Sequence, residues 1–140
     1  MVYKEIKGDL FTVPNNFYLA HCISSDYALG AGIAVAFQKK FHLRGKLQQA
    51  DPTPKFPQVL LIDRVFNLIT KDKCYHKPTL ESLKETLRQM KEIIVEKKIE
   101  HLAMPKIGCG LDRLQWGEVS KAIQETFEDV KWLEIRVYYI

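Results

Sequence analysis

Apolar positions along the chain switch between two periods. Phe17 to Ile23 is a continuous apolar run, Phe-Tyr-Leu-Ala-His-Cys-Ile, and predicts a central strand buried on both faces. Within Ala31 to Phe41, Ile33, Ala34, Phe37 and Phe41 recur at helical spacing, and Lys39-Lys40 suits that helix's C-terminus. Gln58 to Ile62 and Val65 to Ile69 are β-rich runs, and Asp63-Arg64 between them predicts a tight hairpin. Thr79 to Lys97 is the clearest helix. Leu83, Leu87, Met90 and Ile94 line one face, Pro78 precedes it, and Thr79 can cap it. His101 to Met104 is a short apolar strand. Trp116 to Asp129 carries Trp116, Val119, Ile123 and Phe127 on one helical face. Trp132 to Ile140 alternates as a final strand, and Tyr3 to Lys7 is a shorter first strand of mixed quality. Ser24 to Gly30 and the proline-rich Asp51 to Pro57 read as loops, and Leu43 to Ala50 is left without an assignment.

Strands alternating with helices predict an α/β sandwich with a mostly parallel or mixed sheet. Ligands of such folds bind beyond the C-terminal ends of the strands. At 140 residues the chain predicts one domain with a real core. The apolar fraction of 46% is that of an ordinary globular protein, and no run approaches the roughly 20 residues that span a bilayer. The net charge of +4 suits an anionic ligand. It does not make a nucleic-acid stripe, because the lysines are scattered among 17 acidic residues. Cys22, Cys74 and Cys109 are odd in number and widely spaced, with no CxxC or Cys/His metal pattern. The expectation is a reduced, intracellular setting, cytoplasmic or nuclear, without a signal segment, membrane span or metal.

Two glycine loops stand where chemistry is expected. Gly30-Ala31-Gly32-Ile33-Ala34 follows one strand and Gly108-Cys109-Gly110-Leu111 follows another, each ahead of a helix. Strand, glycine loop and helix N-terminus form a phosphate cradle, so a ligand with more than one phosphate is expected. Asp112 is odd beside a phosphate and reads as a sugar contact or an acid/base group. Lys71 closes a strand. It is either a solvated loop lysine or a nucleophile toward a carbonyl or sugar carbon, with Lys73 and Lys77 as alternative candidates. Asp9 is a turn or cap residue, or a carboxylate for an adenine amine. His21 and Cys22 read as core groups, Ser24 and Ser25 as turn residues or ribose and phosphate contacts, and His76 as a loop group. Tyr138 and Tyr139 alternate faces, so one is core and the other could pack on a purine.

The sequence resembles the macro domain family, and within it the terminal ADP-ribose protein glycohydrolase branch. Lys7-Gly8-Asp9-Leu10-Phe11, Ala20-His21-Cys22-Ile23-Ser24, Gly30 to Ala34, Leu68-Ile69-Thr70-Lys71, His76-Lys77-Pro78-Thr79 and Met104 to Trp116 carry the resemblance in order. It implies a three-layer α/β/α domain with a mixed sheet of about six strands. It implies an ADP-ribose cleft, with Asp9 and Leu10 at the adenine, Tyr138 beside it, and Ser24 near the distal ribose. Gly30, Ala31, Gly32 and Ile33, with Gly108, Cys109, Gly110 and Leu111, would wrap the pyrophosphate and distal ribose. The lysine nucleophile and the aspartate of this branch fall on Lys71 and Asp112. No cofactor is implied. The expected partners are ADP-ribose and ADP-ribosylated protein or nucleic acid, and the expected state is a monomer. The leading reading is a hydrolase of acyl-linked ADP-ribose or O-acetyl-ADP-ribose. The alternatives are a non-catalytic ADP-ribose reader and a hydrolase acting mainly on ADP-ribosylated nucleic acid.

Overall fold

The computed structural model describes residues 1–140. Six strands, β1 (Val2–Lys7), β2 (Tyr18–Ser24), β3 (Gln58–Ile62), β4 (Val65–Lys71), β5 (His101–Pro105) and β6 (Glu134–Tyr139), form one mixed sheet in the order β1-β6-β5-β2-β4-β3. Only the β3–β4 hairpin is antiparallel. Its two-residue turn places Asp63 at φ +53, the left-handed value that such hairpins need. The expected three layers are present. Helices α3 (Leu80–Lys97) and α4 (Trp116–Phe127) cover one face through Leu83, Leu87, Met90, Ile94, Val119, Ile123 and Phe127. Helices α1 (Ile33–Phe41) and α2 (Leu43–Ala50), with a short 3₁₀ turn at Leu10–Thr12, cover the other through Phe37, Leu43, Leu47 and Leu10. No helix is long and apolar enough to cross a membrane.

Three differences from the sequence reading bear on the site. The first predicted helix starts at Ile33, because Gly32 adopts φ 61 and ψ −149 and cannot belong to a helix. Strand β4 continues to Lys71 because it pairs with β2 to the end, where a register shift between Ile23 and Ser24 sets Ser24 opposite Lys71. The unassigned Leu43 to Ala50 is helix α2. Its two buried residues, Leu43 and Leu47, stand four apart, the minimum helical signal, with Gly45 between them.

The rim formed by the C-terminal ends of β2, β4 and β5 positions the site. Beneath it the sheet is dry. Leu19, Leu68, Ile69, Ala103 and Met104 are fully buried. Two buried polar groups pair inside this layer, with His21 Nε2 and Asn67 Oδ1 2.7 Å apart. His21 stacks on Phe37 of α1 with ring centroids 4.0 Å apart. Burial lowers its pKa to about 4, against the opposing pull of Asn67, so the ring is neutral at pH 7. The core reading of His21 therefore holds.

Candidate active site

A cavity of about 470 Å³ opens at this rim, between the loops that follow β2, β4 and β5. Residues Ser24, Gly30, Ala31, Gly32, Ile33, Lys71, Gly108, Gly110, Leu111 and Asp112 all line it. Its centre is an ion pair. Lys71 Nζ donates to Asp112 Oδ1 at 2.7 Å, and the two side chains are only 14% and 15% exposed. The pair joins β4 to the loop after β5, residues 41 apart in sequence. Of the candidate lysines, Lys71 is therefore the one held against a carboxylate inside the cavity. Cys22 reaches the same wall. Burial first, then the neighbouring Asp112 charge, pushes its thiol up to about 12, so it stays protonated and inert. The Thr70 hydroxyl, beside Lys71 in sequence, is buried without a hydrogen-bond partner.

The loop after β2 is built from backbone. Tyr27 and Leu29 take left-handed φ values of 53 and 47. Arg44 Nε donates to the Tyr27 carbonyl at 3.0 Å, and its guanidinium also holds the Ala28 carbonyl. This is the function of the helix that the sequence reading missed. Gly32 then leads straight into α1. No side chain caps that helix, and Ile33 and Ala34 line the cavity. Uncapped first-turn N–H groups with the positive end of the helix dipole make an anion site.

The loop after β5 is different. It folds back on itself, with Leu114 N donating to the Gly108 carbonyl at 2.7 Å and Arg113 N to the Gly110 carbonyl at 3.2 Å. Helix α4 begins only at Trp116, so the expected helix N-terminus does not adjoin Gly108-Cys109-Gly110. Gly108, at φ +73, is the tight position, since an added Cβ would lie 3.0 Å from Leu114 Cδ1. Cys109 is not in the cavity wall. Its Sγ turns to the Ile107 carbonyl, and burial pushes its pKa up to about 11.

Side chains stitch these loops together. Ser24 Oγ donates to Asp26 Oδ1 at 2.5 Å, and Cys74 N donates to Asp26 Oδ2 at 2.9 Å. Burial raises the Asp26 pKa, but these bonds and the one from Ala28 N outweigh it and hold the carboxyl below its ordinary value. Ser25 Oγ donates to the Asp72 carboxylate at 2.7 Å. Lys77 Nζ donates to the Leu111 carbonyl at 2.6 Å. Asp26 and Arg44 were not among the sequence-derived site residues, and Lys77 stood among them only as an alternative nucleophile. Each acts on a partner many positions away, which spacing does not reveal.

The remaining candidates lie outside the cavity wall. Asp9 accepts from Phe11 N at 2.9 Å as the cap of the 3₁₀ turn, and Leu10 is buried beneath it. Tyr138 is 8% exposed, within reach of Arg136. Tyr139 is the exposed aromatic of the pair, and Lys106, which does line the cavity, sits 4.6 Å from its ring centroid. No group of His, Cys, Asp and Glu side chains could hold a metal ion.

Comparison with known proteins places the fold in a family. Residues 58–123 match the model of the Macro domain. The human ADP-ribose glycohydrolase OARD1 is 45% identical over 95% of this chain and 88% of its own length. The chain belongs to the macro domain family. Within it the chain falls in the ADP-ribose glycohydrolase branch and is a hydrolase. The macrodomain of Mycobacterium tuberculosis DarG superposes with a TM-score of 0.90 at 19% identity, covering 99% of this macro domain and 98% of that one. A DNA ADP-ribosyl glycohydrolase of Thermus aquaticus is 26% identical over 95% of this chain and 40% of its own.

Proposed function

We propose that this macro domain removes ADP-ribose from an ester linkage to a glutamate or aspartate side chain, with Lys71 as nucleophile and Asp112 as its proton partner. The buried Lys71–Asp112 pair carries the reading. Backbone donors alone suffice to hold a pyrophosphate, so a binding module has no need of a shielded lysine paired with a carboxylate in the cavity wall. The human relative's name, an ADP-ribose glycohydrolase, supports the coarser part of the reading, the removal of ADP-ribose.

The pair supplies a complete proton balance. Lys71 passes one ammonium proton to Asp112 and becomes a free amine. Its lone pair bonds to the anomeric carbon of the distal ribose, and the carbon–oxygen bond breaks with its electrons leaving on the carboxylate. Lys71 then holds the sugar as a secondary ammonium, and Asp112 gives up its proton to solvent. Asp112 next takes a proton from water, whose oxygen bonds to the same carbon. The carbon–nitrogen bond breaks, its electrons return to Lys71, and Asp112 hands its proton back. The products are ADP-ribose, a carboxylate and one proton, and the resting ion pair is restored. The cradle at the α1 N-terminus would hold the pyrophosphate while this happens.

O-acetyl-ADP-ribose presents an ester on the same sugar and belongs to the same proposed substrate class. The Thermus aquaticus relative's name makes ADP-ribosylated DNA the substrate to assay beside it. Three free cysteines suit work in the reduced interior of the cell. The deciding experiment uses the Asp112→Ala variant with a protein mono-ADP-ribosylated on glutamate. Without Asp112, Lys71 can still lose its proton to water and attack, but the adduct lacks the base that releases it. The intact mass should therefore rise by one ADP-ribose, and peptide mapping should place it on a peptide containing Lys71. Tight ADP-ribose binding with neither turnover nor adduct would make the domain a reader.

A further inference from the structure

The resting ion pair poses a problem for the proposed reaction. In the resting pair Lys71 Nζ holds Asp112 as a charged donor at 2.7 Å. Once that nitrogen is bonded to the sugar, its position is set by the anomeric carbon and one of its three N–H groups has been replaced, so the resting contact no longer fixes Asp112. Asp112 must nevertheless stay in place, because its second task comes afterwards. The loop carrying it has little else to hold its tip, since Gly110 and Leu111 are exposed, with Leu111 at 62%.

Lys77 is the other tie to this loop. Its Nζ donates to the Leu111 carbonyl at 2.6 Å, one residue from Asp112, and nothing in the proposed reaction consumes that bond. Its base is rigid. Pro78 is buried directly after it, and Thr79 and Ser82 form a capping box that fixes the start of α3. Ser82 Oγ also donates to the Thr70 carbonyl at 2.9 Å, which locks that helix start to the strand end presenting Lys71. Lys77 therefore measures the position of the Asp112 loop against the same frame that holds the nucleophile. A carbonyl acceptor suits this role. It carries no proton to exchange and keeps its partner while protons pass between Lys71 and Asp112.

We infer that Lys77 is a positioning residue that keeps Asp112 in register after Lys71 has bonded to the sugar. The inference rests on the hydrolase reading above and adds a step-specific role to it. Lys77 touches no reacting atom. Losing it should spare formation of the lysyl-sugar adduct and slow its release.

The test is a comparison of Lys77→Met, Lys77→Arg and the unmodified protein on glutamate-linked ADP-ribose. In Lys77→Met, kcat should fall by on the order of tenfold to a hundredfold, the cost of a misplaced catalytic group. ADP-ribose affinity should stay within about twofold by titration calorimetry. The intact mass should show the adduct accumulating during turnover, and Lys77→Arg should restore release, since it can still donate to the carbonyl. Amide exchange at residues 108–113, read without substrate, should quicken in Lys77→Met alone. Wild-type turnover in Lys77→Met, or lost activity without adduct, would overturn the inference, as would unchanged amide exchange. An unmodified protein with no turnover would instead overturn the hydrolase reading, and the exchange data would then decide whether the tether exists.

Discussion

Gly30-Ala31-Gly32 runs straight into a helix, whereas Gly108-Cys109-Gly110 turns back on itself before any helix begins. The two stretches read alike in the sequence, and their work differs. The first offers a helix N-terminus, left-handed backbone and carbonyls braced by Arg44. It is a cradle for charge on a ligand. The second carries Asp112 and is held by side chains from β4 and the approach to α3. It is a mount for a reacting group. A GxG motif after a strand thus specifies a close backbone approach and leaves open whether binding or chemistry follows.

The largest expected effect breaks the molecule along this line. Asp112→Asn should reduce turnover by roughly a hundredfold to ten-thousandfold, the span of general acid–base contributions. Its ADP-ribose affinity should stay within a few-fold of the unmodified protein, because the pyrophosphate cradle lies on the other loop. Lys71→Ala should lose turnover as completely and form no adduct. If either substitution abolished ADP-ribose binding instead, the division of labour between the loops would be wrong.

Most of the frame was legible for simple reasons. Strand β2 shows an unbroken apolar run and helix α3 a long, strongly periodic pattern, and Pro78 with Thr79 signals the start of α3. Lys71 and Asp112 were legible as types, because a lysine at a strand end and a carboxylate beside glycines are out of place among solvated or phosphate-binding groups. Their pairing, 41 residues apart, came only from the resemblance and then from the sheet order that sets β4 and β5 on either side of β2. Helix α2 was not legible. Its solvent face is polar throughout, and two leucines over two turns fall short of a pattern. Outside the cavity wall, Asp9 and Tyr138 are occupied by local structure, one as a cap and the other packed into the core.

The next effect in size separates the loops by pH. His21 lies under α1, the helix that the cradle opens. Its folded pKa of about 4 is below the ordinary 6.5, so the unfolded chain binds more protons between those values. Stability is full above pH 6.5 and is lost as pH falls toward 4. The loss totals about 3 kcal/mol, because each pH unit between the folded and unfolded values is worth about 1.4 kcal/mol. Asp26 is also depressed, but its contribution disappears only below the ordinary carboxylate range. Urea unfolding at pH 7 and pH 4.5 should show the loss, and His21→Phe, able to stack on Phe37, should flatten it. Amide exchange in residues 30–34 should rise with acid before that in 108–113.

The smallest effect tests the comparison at single glycines. In each motif the structure makes one glycine indispensable, and it is not the same one. Gly32, at φ +61 and ψ −149, sits in backbone that essentially only glycine adopts, so Gly32→Ala should cost about 1–3 kcal/mol through strain. Space is not the obstacle there, since the new methyl would meet Leu111 Cδ1 at an ordinary 3.6 Å. Gly108 combines φ +73 with the 3.0 Å approach to Leu114, so Gly108→Ala must also displace a side chain that closes the loop. Gly30 and Gly110 have neither problem, and alanine at either should change stability by less than about 0.5 kcal/mol. The two costly variants should then part company. Gly32→Ala should weaken ADP-ribose binding while the bound fraction still turns over. Gly108→Ala should lower kcat, because its loop carries Asp112. Matching kinetic defects in both would mean that the loops move as one unit, and the contrast between cradle and mount would collapse.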